Sequence, residues 1–340
     1  MHFMKKNHFF LKISLFIAFS SIFSEAYFQK KDAGQEVFAF SSTFQSPRSA
    51  AMEFSNAAEP SFDLGITFLN PAGLQLPDGK KTAVQFFWHT GEFAESQGVL
   101  SFAKQMETLT FQISYGWITY GSIDGYDEYG KKTGISHEPI SQTLALSAMM
   151  PFKHLNIGTT IKVPSDKLAD DKNDRTAYGL AFDFGISFVS DSKRFGISVL
   201  GRDFGTMIRD YTDDGEDEHY AMAETFAVAG FFKPRRIPQL ALYTETNFPR
   251  YAEPSFHLGA EYSLSQFFFV RAGFSRTWLD LSRDFKDLFL SKSRPSESNE
   301  ARLFSLGLGY IYKIIALDYS FSYLTSELGL EHRVSLQLSF

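Results

Sequence analysis

The end of the chain, residues 300–340, contains three runs in which apolar residues alternate strictly with small, polar or charged ones. The runs are 304–312, 315–323 and 334–340, and many of their apolar residues are aromatic. Because successive side chains of a β-strand point to opposite faces, a period of two predicts three strands. One face of each predicted strand is then large and apolar, and the other is small or polar.

Alternation alone is compatible with two classes of protein. A soluble β-sandwich turns its apolar face to a core, whereas a membrane β-barrel turns it outward to lipid and its polar face to a lumen. The last strand also ends on an aromatic residue, and it resembles the C-terminal signal of outer-membrane barrels. The residues that carry this resemblance are Val334, Leu336, Leu338 and Phe340.

The lengths of the connections favour the membrane barrel. Short connections such as 105–106 and 151–152 alternate with long ones such as 122–139 and 277–300. Outer-membrane barrels have short periplasmic turns and long external loops, so the pattern predicts an all-β fold, a transmembrane antiparallel β-barrel. About 14 strands are predicted, at 83–89, 98–104, 107–121, 140–150, 153–163, 175–189, 194–203, 221–232, 238–247, 255–264, 267–276, 301–312, 314–324 and 331–340.

The amino terminus predicts export. Residues 1–26 have a basic region around Lys5 and Lys6, an apolar core at 13–23 and Ala26 before a small-residue cleavage site, as a secretory signal peptide does. An exported chain without Cys has no disulfides, and the closed hydrogen-bond ladder of a barrel can supply stability instead. We therefore expect the protein in the outer membrane of a Gram-negative cell.

Residues 27–82 lack the alternation of the later chain, which we assign to the barrel as 83–340. They are predicted to form an N-terminal plug inside the lumen, or to lie beneath the barrel in the periplasm. Their candidate hatch is the run Asn70, Pro71, Ala72, Gly73 and Leu74. The plainer interpretation of Asn70-Pro71 is an ordinary turn before the first strand.

Charged residues occur at positions that the alternation turns toward the lumen. Buried charges must pair or be hydrated, and Arg271 is placed to bridge Glu261 across neighbouring strands. The set is interpreted as a network that stiffens the barrel and holds the plug, or alternatively as a polar pathway for a solute. Its members are Asp183, Glu245, His257, Glu261, Arg271 and Asp318.

The sequence offers no recognisable catalytic site, so a non-enzymatic protein without cofactors is predicted. The absence of Cys removes thiolate chemistry and most zinc sites, and no Ser lies in a G-x-S-x-G context. The acidic run 213–218 is oxygen-rich, but we interpret it as a solvated loop and predict no metal site. A net charge of −6 speaks against a nucleic-acid partner.

Three stretches resemble the PorV/PorQ family of outer-membrane barrels. Residues 120–134 resemble the family's acidic, Gly-rich hairpin after Tyr-Gly, 69–74 its Asn-Pro-Ala segment, and 314–340 its closing hairpin. Together with the length and the strand count, the resemblance covers most of the mature chain, and the order of the three stretches supports it. The resemblance implies a FadL-like fold and a non-enzymatic role in type IX protein secretion.

One feature departs from the family's pattern. The family often has a Gly pair after Ala-Ala-Met, whereas Met52 is followed here by Glu53 and Phe54. Because Gly adopts turn conformations that other residues resist, we expect the plug to turn differently at this point.

The resemblance also implies partners: outer-membrane lipid, secreted cargo or other type IX secretion proteins, and the barrel-assembly machinery during insertion. The expected partner surface is the longest loop, with Phe285, Leu288, Phe289 and Leu290, although the helical spacing of this run also suits packing over the barrel mouth. The main alternative function is a FadL-like channel that passes hydrophobic compounds through a lateral opening, and a purely structural surface protein is a third. A channel should hold a continuous apolar pocket near the plug, whereas a secretion component should expose an apolar patch on its outer loops.

Overall fold

A computed structural model of the chain describes residues 36–91, 94–169, 175–212, 220–290, 304–323 and 329–340, with the side chains of all of these except 285–290. The predicted signal peptide, 1–26, lies outside these residues. Among the described helices, none has the length and apolar character required to span a membrane.

Fourteen strands close into one antiparallel barrel, which confirms the predicted fold class. Neighbours along the chain pair with each other, and β1 closes the barrel against β16. Two further strands, β4 and β5, form a separate hairpin. The strands are β1 (Thr82–Thr90), β2 (Ser96–Met106), β3 (Leu109–Thr119), β4 (Ile123–Tyr126), β5 (Lys132–His137), β6 (Ile140–Phe152), β7 (Leu155–Lys167), β8 (Ala177–Val189), β9 (Phe195–Arg209), β10 (Thr225–Phe232), β11 (Leu240–Pro249), β12 (Ser255–Ser263), β13 (Phe268–Thr277), β14 (Phe304–Tyr312), β15 (Ile315–Tyr323) and β16 (Leu330–Ser339).

The two faces of the wall have opposite character. In β8, Leu180, Phe182 and Ile186 point outward and are 47%, 44% and 49% exposed, whereas Asp183 between them is fully buried on the lumen side. The other barrel strands follow the same alternation, except that β9 changes phase within its length. An apolar exterior around a polar interior is the arrangement of a membrane barrel, so the wall is built to face lipid.

Short and long connections lie at opposite ends of the barrel. We call the end with long connections the outer end and the end with tight turns, such as the one at Lys313 between β14 and β15, the inner end. The long connection between β3 and β6 holds the β4–β5 hairpin, which the alternation did not predict. The Asp127 carboxylate accepts hydrogen bonds from the N–H groups of Tyr129 and Lys131, which forms the turn of this hairpin.

Strand β9 extends six residues beyond its predicted end because it contains a bulge. Phe204 pairs with Phe182 and Gly201 with Phe184, so Arg202 and Asp203 both stand opposite Asp183. An extra residue shifts the phase of the alternation, and Asp203 takes a positive φ of 56° to accommodate it. The period of two therefore stops in the sequence while the strand continues.

Residues 36–81, which we call the plug, pack inside the barrel. The plug contains one helical turn, α1 (Pro47–Ala50), and 3-10 turns at Ala39–Thr43, Leu64–Phe68 and Pro71–Gly73. Plug residues contact opposite walls, since Asn70 bonds to Ser187 of β8 while the N–H of Leu64 donates to Gln337 of β16. The domain boundaries at 26 and 82 stay predictions.

The plug makes a left-handed turn at Glu53 and Phe54, whose φ values are 49° and 61°. This conformation costs about 1–2 kcal/mol for each residue other than Gly. The buried Glu53 carboxylate accepts hydrogen bonds from the hydroxyls of Ser275, at 2.9 Å, and Ser305, and the Phe54 N–H donates to Ser49 at 2.8 Å. The two contacts of Glu53 to the wall and the hydrogen bond from Phe54 to the Ser49 carbonyl within the plug stabilise the turn in place of a Gly pair.

Candidate functional site

A cavity of about 600 Å³, the outer cavity, lies between the plug and the outer end of the barrel. Its apolar lining includes Phe40, Phe54 and Phe68 of the plug and Ile118 and Tyr120 of the wall. These side chains come from segments that converge only in the closed barrel. The outer cavity therefore presents apolar side chains next to the plug, and charged side chains share its lining.

The charged residues that line the outer cavity are paired with one another or with neighbours. Arg333 Nη2 lies 3.2 Å from Glu331 Oε2, and His89 Nε2 lies 3.6 Å from the other oxygen of Glu331. Arg202 Nη2 lies 2.7 Å from Glu245 Oε1. Because both lining arginines are engaged by carboxylates, the cavity suits an uncharged ligand better than an anion.

A second cavity of about 820 Å³, the inner cavity, opens at the inner end, on the other side of the plug. It is more polar, with Lys153, His154, Lys193 and Lys233 from the tight turns among its lining residues. Lys233 pairs with Glu59 of the plug. The plug thus separates an outer cavity with a mostly apolar surface from a more polar inner one.

Three of the predicted lumen residues meet in one ion-pair network. Arg271 Nε lies 2.6 Å from Glu261 Oε2, and Arg271 Nη1 lies 2.5 Å from Asp318 Oδ1. Arg48 of the plug joins them, with its Nε 3.1 Å from Glu261. Burial alone would lower the pKa of Arg48, but its neighbours Glu261, Tyr243 and Glu59 together outweigh this effect and raise that pKa above its usual range. The network ties α1 to β12, β13 and β15.

Asp183 belongs to a second, separate cluster at the bulge. Lys162 Nζ of β7 lies 2.7 Å from Asp183 Oδ2 and 2.9 Å from Asp203 Oδ1, and all three side chains are buried. The Asp203 N–H also donates to Asp183 at 2.7 Å, and the Ser41 hydroxyl of the plug approaches Asp203 at 3.4 Å. One buried cation is thus shared by two carboxylates.

Glu245 and His257, the remaining predicted lumen residues, hold other parts of the plug. Arg202, which pairs with Glu245, donates through Nε to the carbonyl of Leu69 at 2.7 Å. His257 Nδ1 lies 2.8 Å from the carbonyl oxygen of Glu53. The six predicted residues therefore fall into three groups around the plug.

The candidate hatch, residues 70–74, sits against the wall of β7 and β8. The Asn70 amide donates to the Ala57 carbonyl at 2.7 Å and to Ser187 at 2.9 Å, and its oxygen accepts from the Ala72 N–H at 3.0 Å. The neighbouring wall residues are Gly158 and Gly185, and a Cβ on Gly185 would lie 1.9 Å from the Asn70 oxygen. The hatch is thus seated on two positions without side chains.

Other predicted site residues lie outside the lumen. Val334 and Leu336 face outward on β16, and Phe340 closes the barrel through its N–H to the Thr82 carbonyl at 2.7 Å. The predicted partner residues fall in helix α2 (Trp278–Leu290), but their side chains lie outside the described residues. These are Phe285, Leu288, Phe289 and Leu290.

Sequence reasoning missed several charged residues of the site. The position of Lys162 in the lumen could have been predicted, because it lies between Ile161 and Val163, two apolar residues that face outward. Arg202 and Asp203 were obscured because the bulge changes the phase there. Within the described ranges no cluster of His, Asp and Glu is arranged to hold a metal ion, and the acidic run 213–218 lies outside them.

No protein-family model matches the sequence, and neither does any curated protein. In structure, the chain is similar to the toluene transporter TbuX of Ralstonia pickettii, with a TM-score of 0.57 and 13% identity over 87% of this chain and 98% of that one. The fold is FadL-like. The P. putida toluene transporter TodX is similar too, with a TM-score of 0.56 and 11% identity over 86% and 97% of the two chains. At this identity the comparison shows the fold alone, which is that of outer-membrane barrels.

Proposed function

We propose that the protein is an outer-membrane channel for small, uncharged hydrophobic compounds. The outer cavity carries the proposal. Its apolar side chains converge on the outer side of the plug, inside the barrel, and binding sites for small molecules are concave and mostly apolar in the same way. The fold similarity to two toluene transporters supports the same class of ligand. Pairing of Arg202 and Arg333 with carboxylates disfavours anionic ligands.

On this proposal, the plug controls passage. A compound enters from the outer end and rests against Phe40 and Phe68, which belong to the plug and form part of the cavity lining. The plug stands between this cavity and the inner one, so onward movement requires the plug to shift or the wall to open sideways. The lateral opening stays a prediction.

The type IX secretion role rests on the resemblance of three sequence stretches. A pull-down of the tagged protein from gently solubilised outer membranes tests it directly. Recovery of secreted cargo or other type IX components would favour secretion. Recovery of the barrel alone, with a bound hydrophobic compound, would favour the channel.

Filling the outer cavity is expected to block uptake. Ala39 of the plug lines the cavity and is exposed to it, so Ala39→Trp places an indole where the ligand rests. The ligand then loses about 60 Å² of apolar contact with the cavity. This loss weakens its binding free energy by about 1.5 kcal/mol, which lowers its affinity about tenfold. We expect uptake of radiolabelled toluene by cells that express the variant to fall accordingly.

The matched control is Ala272→Trp, which adds the same indole to the outward face of β13. Aromatic residues suit that lipid-facing surface, so uptake should equal that of the unmodified protein. Equal uptake by both variants would show that the outer cavity is not on the transport route.

A further inference from the structure

Helix α2 begins where the wall of the barrel leaves the membrane. Strands β12 and β13 have nine and ten residues, close to the roughly 9–11 residues that a tilted strand needs to cross the hydrocarbon core. Strand β13 runs toward the outer end, and α2 follows Thr277 directly. The first turn of α2 therefore lies at the level of the outer boundary of the hydrocarbon core.

The same turn lies on the outside of the wall. Leu258 of β12 faces outward and is 42% exposed, and Phe256, two residues closer to the outer end, shares its face. The ring of Trp278 in α2 packs against Phe256 with a centroid distance of 5.2 Å. Trp278 and Leu279 are each 41% exposed.

An ion pair holds the next turn on the same side. Phe274 of β13 faces outward, and Arg276 follows it on that face. Arg276 Nη2 lies 2.8 Å from Asp284 Oδ2 of α2, and Arg276 Nε lies 3.1 Å from the same oxygen. Two contacts, one turn or more apart along the helix, thus attach α2 to the lipid-facing surface and not to the mouth of the barrel.

The sequence of α2 has the pattern of a helix at a membrane surface. Apolar residues recur at 278, 281, 285 and 288, and charged residues occupy 280, 283, 284 and 287 between them. Trp prefers the boundary between acyl chains and head groups, where its ring is apolar and its N–H meets water. The exposed Trp278 continues the apolar outer band of the wall at that boundary.

We propose that α2 is an interfacial helix that binds the outer leaflet of the membrane, with Trp278 at the acyl–head-group boundary. The helix lies along the membrane surface beside β12 and β13, and the Arg276–Asp284 pair fixes its position. The ligand of this surface is membrane lipid. A protein partner on the same surface is the competing outcome of the test.

Tryptophan fluorescence in vesicles of brominated phosphatidylcholine tests the proposal. The variant Trp88→Phe/Trp117→Phe retains Trp278 as its single Trp, since the chain has three. We expect bromine atoms near the head groups to quench most of the Trp278 fluorescence. Bromine atoms near the ends of the acyl chains should quench less of it. The water-exposed control carries Tyr129→Trp, at the 86% exposed tip of the hairpin, with all three native Trp replaced by Phe.

Two results would overturn the proposal. Quenching of Trp278 by iodide to the same degree as the control, without an effect of bromine, would place α2 in water. Resistance to both quenchers would show that protein covers it. A second measurement leaves Trp88 and Trp117 in place, so it does not depend on the Phe replacements. A nitroxide on Trp278→Cys is the single label, because the chain has no other Cys. We expect oxygen to relax the nitroxide more strongly than a water-soluble nickel complex does.

Discussion

Lys162→Met is expected to lower the free energy of unfolding of the barrel by about 3–5 kcal/mol, the usual cost of removing one partner from a buried ion pair. Lys162 is 1% exposed and lies within 2.9 Å of both Asp183 and Asp203. Met keeps the length and apolar stem of Lys but leaves two adjacent carboxylates without their cation. Urea unfolding of the protein in phosphatidylcholine vesicles, followed by gel mobility, measures the loss.

The control for this prediction is Lys132→Met in the β4–β5 hairpin. Lys132 also pairs with an aspartate, Asp124, but its side chain is 63% exposed, so the change should stay under about 1 kcal/mol. If Lys162→Met prevents assembly, adding Asp183→Asn and Asp203→Asn should restore it, because replacing a whole buried ionic cluster by neutral groups is often tolerated. Unfolding of Lys162→Met at the urea concentration of the unmodified protein would contradict the role of the cluster.

The architecture of the wall was predictable because each barrel strand repeats one constraint: its side chains face lipid and lumen in turn. Strand β8 shows this best, since Phe182 and Asp183 point to opposite faces and the sequence displays the difference directly. The end of β9 was not predictable, because the extra residue at Asp203 removes the period on which the reasoning relies. The same bulge hid Arg202, which binds the Leu69 carbonyl of the plug.

The plug was harder to predict than the wall. Residues 36–81 have no period, and many of their contacts are with side chains more than 200 positions away in the sequence, such as the pairing of Arg48 with Glu261 and of Glu53 with Ser305. The Asn-Pro-Ala run was recognisable, but its seat on Gly158 and Gly185 depends on the closed barrel. The local sequence was sufficient to locate the segment. The wall residues that contact it are brought together only by the tertiary structure.

Gly185→Val is expected to unseat the hatch and open the channel. A Cβ at this position would lie 1.9 Å from the Asn70 oxygen, and Asn70 cannot move without losing its bonds to Ala57, Ser187 and Ala72. A separation of 1.9 Å is far inside van der Waals contact, so the 70–74 run must move away from the wall. Each buried polar group that this movement leaves unsatisfied costs about 1–3 kcal/mol, so the displaced run is held less firmly than in the unmodified protein. Larger single-channel conductance in planar bilayers, and greater sensitivity of cells to a bulky antibiotic, measure the opening.

Gly230→Val is the matched control for the hatch, because Gly230 lies on the outward face of β10 and its nearest neighbours to a new Cβ are at 3.6 Å and 3.7 Å. It adds the same side chain to the wall without touching the plug, so conductance should stay at the level of the unmodified protein. Asn70→Ala offers an independent route, since it removes the three hydrogen bonds and leaves the wall unchanged. If Gly185→Val and Asn70→Ala both conduct like the unmodified protein while the barrel stays folded, the 70–74 run does not close the channel, and a compound in the outer cavity must leave by another route.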